Sequence, residues 1–112
     1  DKGQHTRSFC YVNDLVEGFI RLMDAEVNEP VNLGNPREMT ILDLAQTVLK
    51  VIPSDSEIIF VEPKDARTKD DPKKRCPDIG RAKSELGWEP QITLEEGLAR
   101  TADYFRRTLG IG

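Results

Sequence analysis

The chain has 112 residues, 38% of them hydrophobic, with 16 Lys plus Arg against 20 Asp plus Glu and a formal net charge of −4. That length suits one domain burying roughly 60–68% of its unfolded surface. The acidic balance argues against nucleic-acid binding through a general basic face, so any anion site must be local. No apolar run approaches the ~20 residues of a membrane span and no signal-peptide pattern opens the chain; the two cysteines, Cys10 and Cys76, are too few for a disulfide scaffold and lack metal-ligand spacing.

In chain order, DKGQHTRSF begins with turn chemistry and no initiator Met, and the chain reads as a fragment of something longer. Residues 8–12 (SFCYV) form a β-rich run, expected to be a strand. Asn13 or Asp14 can cap a helix reaching about Asp24, with Leu15, Phe19, Ile20, Leu22 and Met23 on one apolar face. Gly18 inside that helix implies a packing reason. Pro30 and Pro36 bracket Val31, Asn32 and Leu33 as a short buried strand. Thr40 with Asp43 matches a capping box ahead of a second amphipathic helix, ended by Pro53.

Residues 57–63 (EIIFVEP) are the most strand-like run. After them, residues 64–77 hold six Lys or Arg against three Asp and almost nothing apolar. Pro77 and Asp78 open a short helix that stops at Gly87, as a residue just past a helix end should. Thr93 and Glu96 match a second capping box, followed by a helix lined by Leu94, Leu98, Ala102, Phe105 and Leu109. Trp88 and Phe105 read as core. The sum is an α/β layout of short strands alternating with helices.

Little of the usual catalytic equipment is present. His5 is the only histidine and has no visible triad partner. Glu57, Glu62, Asp70 and Asp71 show no spacing that separates a general acid from solvated charge. Neither GxGxxG nor GxxxxGK[ST] occurs. What remains is a pair of arginine-bearing turns: Arg7 after GQHT, and Arg75 in DDPKKRCPD. A guanidinium fork suits phosphate or carboxylate, so two such turns converging would clamp a diphosphate. Either arginine alone is better explained as a surface ion pair.

The segments TRSFCYVNDLVEGFIRLM, VNLGNPREMTILDLA and DDPKKRCPDIGRAKSELGWEPQITLEEGLARTADYFR, in that order, strongly resemble the C-terminal part of the UDP-glucuronate decarboxylase (UDP-xylose synthase) family. That family belongs to the extended short-chain dehydrogenase/reductases, and the resemblance covers essentially all of residues 1–112. It implies a C-terminal substrate-binding lobe, with the Rossmann half that binds NAD, its Gly-rich fingerprint and its YxxxK pair missing. The implied parent oxidises UDP-glucuronate at C4, loses carbon dioxide from the 4-keto intermediate and yields UDP-xylose; the lobe alone is expected to be inactive.

Carried onto this chain, the resemblance assigns Arg7 to the UDP diphosphate, with Gly3, Gln4 and His5 on the uridine side. Arg75 is similar to the arginine that binds the nucleotide-sugar and has been proposed to help protonate the sugar ring carbon after decarboxylation. Asp70 and Asp71 would hold the loop's shape, with Lys73 and Lys74 solvated; Tyr11 and Asp14 would serve as strand end and helix cap. Two departures stand out: His5 where the family usually has Gln, and Cys76 where most members have Lys or Arg.

The alternatives are a lobe of a sibling epimerase or 4,6-dehydratase, and a non-catalytic module that self-associates or exchanges an element between copies. As a parent the family implies a homodimer. Two unpaired-looking cysteines and no N-x-[ST] sequon favour a cytoplasmic location, with the Golgi lumen as the alternative for a membrane-anchored parent.

Overall fold

Pairing begins near the amino-terminal end, where β1 (Thr6–Arg7) lies antiparallel to β2 (Met39–Thr40) with Thr6 opposite Thr40 and Arg7 opposite Met39. The structure, a computed structural model, describes residues 3–61 and 75–110. Beyond the ladder, the His5 and Gly3 carbonyls accept the Ile41 and Leu42 N–H groups at 2.9 and 3.0 Å. Gly3 takes φ +77°, and a Cβ there would lie 3.0 Å from the Leu42 Cβ, so the turn requires glycine. The GQHT turn is thereby fastened to the start of the next helix.

That helix, α2 (Ile41–Val51), starts as its sequence dictates. The Thr40 hydroxyl accepts the Asp43 N–H at 3.0 Å, and the Asp43 carboxylate accepts the Thr40 N–H at 3.3 Å. It ends at Ile52, ahead of Pro53.

Helix α1 (Val12–Asp24) starts differently from expectation. Tyr11 occupies the cap position in extended conformation with no side-chain bond, and neither Asn13 nor Asp14 caps. Asp14 instead lies buried in the first turn, where its carboxylate accepts the Ile92 N–H at 2.9 Å and its carbonyl accepts the Trp88 indole N–H at 2.9 Å. The residue staples α1 to the 88–92 segment. The buried edge of the helix runs through Asp14 and Gly18, whereas Val12, Val16, Phe19, Ile20 and Met23 are exposed. The apolar stripe read from the sequence is real, but its larger part faces outward.

Gly18 has the packing reason its position implied. A Cβ at this site would stand 3.1 Å from both Leu33 methyls and from the Trp88 ring. Gly18→Ala is expected to lower stability by roughly 1 kcal/mol in urea unfolding, because overpacking of about 1–3 kcal/mol against a rigid indole exceeds the roughly 1 kcal/mol gained in helix propensity.

Residues 31–33 pair with no strand; Val31 and Leu33 pack against the buried cluster of Ile79, Ala82 and Trp88, joined by Cys10 and Leu86. Residues 8–11 and 57–61 likewise carry no ladder, and Ile59, Phe60 and Val61 are exposed. The expected alternation of strands and helices is therefore corrected: among the described residues the chain is mostly helical, with one two-stranded ladder. A strand is a pairing and not a property of its residues, and these runs have no edge to join. Residues 62–74, with Glu62, Asp70, Asp71, Lys73 and Lys74, lie outside the described residues.

The carboxyl-terminal third follows its signals closely. The Asp78 carboxylate accepts the Gly80 N–H at 2.9 Å, and the turn that follows becomes π-helical over Ala82–Leu86. Gly87 ends it with φ +62°. Arg21 of α1 donates to the Gly87 and Leu86 carbonyls at 2.5 and 3.3 Å, satisfying the helix end. Helix α3 (Leu94–Leu109) is capped by the Thr93 hydroxyl, which accepts the Glu96 N–H at 3.2 Å. The reciprocal half of the expected box is not formed: the Glu96 carboxylate pairs with Arg100 at 2.8 Å. Gly97 lets the Tyr11 ring approach α3, and Arg100 lies over that ring at 5.7 Å. Among the described residues no helix is long and apolar enough to cross a membrane.

Candidate functional site

Arg7 and Arg75 meet. Although far apart in sequence, both line one cleft of about 800 Å³, together with Ser8, Val31, Asn32, Leu33, Cys76 and Pro77. None of these described residues is acidic, and the two arginines are the charged side chains among them, a local cationic pair in an acidic chain.

Each arginine is positioned by its neighbours. Arg7 sits in β1 opposite Met39, and one of its guanidinium nitrogens donates to the Thr6 carbonyl at 2.6 Å. Thr6 in turn donates through its hydroxyl to the Glu38 carboxylate at 2.5 Å. Arg75 is exposed, but the residues after it are tied down. The Cys76 thiol lies 3.2 Å from the Pro36 carbonyl, and a Cβ on Gly34 would come within 3.0 Å of the Pro77 ring. The Asn32 amide donates to the Asp78 carbonyl at 3.3 Å. The VNLGNP turn thus holds the end of the Arg75 loop against the cleft.

Gly3, Gln4 and His5 do not line this cleft; the Gly3 and His5 carbonyls serve the first turn of α2. Ser8 does line it, a position that reasoning from sequence passed over. A strand running on through residues 8–12 would send Arg7 and Ser8 to opposite faces. The β1 ladder ends at Arg7, and Arg7 and Ser8 both line the same cleft. The Ser8 hydroxyl oxygen is buried with no hydrogen-bond partner.

A second cavity of about 270 Å³ lies between α2 and α3, lined by Phe9, Cys10, Tyr11, Leu44, Val48 and Leu98 among others. It carries no charged side chain. Burial there pushes the Cys10 thiol up from its ordinary pKa, with a smaller contribution from the Asp14 carboxylate. Among the described residues no group of His, Cys, Asp or Glu converges as a metal site.

Residues 1–101 match the family described as GDP-mannose 4,6 dehydratase. The chain belongs to that family. Within the GDP-mannose 4,6 dehydratase family its similarity is strong to UDP-glucuronic acid decarboxylase 6 of Arabidopsis thaliana, at 50% identity over 109 residues, covering 97% of this chain and 31% of that protein. UDP-glucuronic acid decarboxylase 1 of Danio rerio is also 50% identical, over 107 residues, covering 96% of this chain and 25% of that one. The resemblance drawn from the TRSF, VNLGNP and DDPKKRCPDI segments therefore holds along nearly the whole chain. The chain spans only about a quarter to a third of the length of these relatives.

Among solved structures, UDP-glucose 4-epimerase of Thermotoga maritima, with UDP-glucose, superposes with a TM-score of 0.87 at 36% identity, over 97% of this chain and 34% of that one. The UDP-glucuronic acid 4-epimerase of Bacillus cereus, in complex with UDP-glucuronic acid and NAD, gives a TM-score of 0.80 at 25% identity, over 95% and 33%. The family fold is thus the fold of part of a nucleotide-sugar epimerase chain.

Proposed function

We propose that residues 1–112 form the UDP-sugar-binding lobe of an NAD-dependent UDP-glucuronate decarboxylase, which converts UDP-glucuronate to UDP-xylose and carbon dioxide through a 4-keto intermediate. The observation that carries this is the sharing of one cleft by Arg7 and Arg75, with no acidic side chain among its described lining residues. Two planar forks facing one space neutralise a diphosphate and fix its orientation. Arg75 has the further role of placing a cation, and a proton donor's partner, near the sugar ring after carbon dioxide leaves; such help strengthens as the site dries. Gly3, Gln4 and His5 would flank the uridine just outside the cleft that the two arginines line.

The chain contains neither GxGxxG nor YxxxK, so its residues do not fit the dinucleotide, which would be held by a Rossmann half outside this sequence. Oxidation and return of the hydride at C4 belong there, and the lobe alone would be inactive. The exposed apolar stripe of α1 supports a covering partner, either that half or a second copy in a homodimer. Two free cysteines favour a cytoplasmic parent. The 36% identity to a UDP-glucose 4-epimerase supports a second reading, a sibling epimerase with the same cleft.

Cys76 offers a test independent of turnover. It is exposed on the cleft wall, whereas Cys10 is half-buried with its thiol pKa raised, and thiolate is the species that alkylates. In the full-length protein, UDP-glucuronate at about ten times its Kd leaves roughly one site in eleven open, so Cys76 labelling should slow about tenfold. Cys10 should label slowly with or without ligand. Unchanged Cys76 labelling at saturating ligand would count against the cleft as the UDP-sugar site.

A further inference from the structure

We propose that Ser8 is a further substrate-binding residue, whose hydroxyl donates to a diphosphate oxygen held between Arg7 and Arg75. The inference rests on the cleft being a nucleoside-diphosphate site. Three observations lead to it. The Ser8 hydroxyl is a buried side-chain polar atom with no hydrogen-bond partner, and it stands alone in this among the described residues. Buried hydroxyls almost always find a partner, so an orphan in a folded chain calls for an explanation. Its residue also lines the same cleft as both arginines, directly following Arg7.

A serine hydroxyl rotates among three staggered positions about χ1, so a small turn carries it from its dry position toward the cleft. There it is a neutral donor, one that binds an anionic oxygen without adding charge. The two guanidinium groups attract and orient the diphosphate, and Ser8 supplies a donor beside Arg7. Without ligand the hydroxyl is unsatisfied. With ligand it is satisfied, so binding gains from a group that the folded chain leaves without a partner.

The test is Ser8→Ala in the full-length enzyme, with UDP titrated by calorimetry and unfolding temperature measured with and without UDP. Alanine is smaller by one oxygen and fits the same space, so the variant should fold. Expected are a five- to tenfold weaker Kd for UDP, a correspondingly higher KM for UDP-glucuronate, an apo unfolding temperature equal to or above the wild type, and a smaller UDP-induced rise. A purely structural serine would instead lower apo stability and leave UDP affinity untouched, and that result overturns the assignment. Arg75→Ala, run beside it, separates the two levels. UDP binding lost in Arg75→Ala but within twofold of wild type in Ser8→Ala overturns the Ser8 role alone. Binding unchanged in both variants overturns the diphosphate cleft and the Ser8 role with it.

Discussion

Arg75→Ala in the full-length protein is expected to reduce kcat/KM for UDP-glucuronate by about 10²–10³-fold, the scale seen when one preorganised electrostatic group is removed from a reacting centre. Arg75 is exposed and forms no ion pair with any described residue, so its removal breaks nothing that holds the fold. Folding stability should stay within about 0.5 kcal/mol of wild type, as at an ordinary surface position. Arg7 keeps its place in β1 through its neighbours, so the variant retains half a clamp.

Half a clamp still binds, but weakly. Loss of one charge-assisted contact of about 1.5–3 kcal/mol raises KM by roughly 10–100-fold, and the remaining loss should appear in kcat if Arg75 acts at the sugar ring. Arg75→Lys should recover part of the affinity and less of kcat, because lysine keeps the charge without the planar fork. The residual affinity should fall with salt, since the remaining cation, the half-buried Arg7, acts on an anion that solvent ions screen within about 8–10 Å at roughly 0.1–0.15 M ionic strength. Steady-state kinetics of the two variants at two salt concentrations would check all of this. A kcat/KM for Arg75→Ala within threefold of wild type would remove Arg75 from the site.

The second large effect concerns stability. Trp88→Ala should destabilise the chain by about 3–5 kcal/mol, a range typical of deleting a buried aromatic. Trp88 is 2% exposed and shares its cluster with Ile79 and Ala82. Its ring fills the notch that Gly18 leaves open, and its indole N–H occupies the Asp14 carbonyl at 2.9 Å. Against a domain stability of about 5–15 kcal/mol, such a loss leaves little in reserve.

Phe105 provides the contrast. It is 50% exposed, in edge-to-face contact with Tyr104. Phe105→Ala should therefore cost well under the Trp88 value in the same chemical denaturation series. Equal losses from the two variants would mean that something covers the outer face of α3 in the protein tested.

These two aromatics also mark how far the sequence could be read. Both looked like core, and only Trp88 is. Signals that act within a few residues came through: the Thr40–Asp43 capping box, the Gly87 stop with positive φ, and the seat for Gly18. Each is fixed by backbone geometry or local hydrogen bonds. Strands fared worse, because residues 8–12, 31–33 and 57–63 have β-forming side chains, yet those that are described find no neighbouring edge within the chain. The apolar stripe of α1 was legible as a stripe. Which part faces inward was not, since that depends on Trp88 and Leu33, distant in sequence.

The site divides in the same way. Arg7 and Arg75 stood out as arginines in turns, but each alone resembled a surface ion pair; their meeting in one cleft is a tertiary fact. Asp14 read as a helix cap because its position in the first turn suits one, and the Ile92 N–H proved the stronger claimant. Ser8 was hidden by the strand assigned to it. The ladder ends at Arg7, so the strand expected over residues 8–12 is not formed, and Ser8 lines the cleft beside Arg7.

The most direct measurement is the product formed from UDP-glucuronate by the full-length protein that carries this chain, supplied with NAD and analysed by mass and sugar composition. UDP-xylose, with one carbon dioxide released per sugar, is the expected result. UDP-galacturonate formed without loss of carbon dioxide would contradict the account and assign the cleft to a 4-epimerase instead.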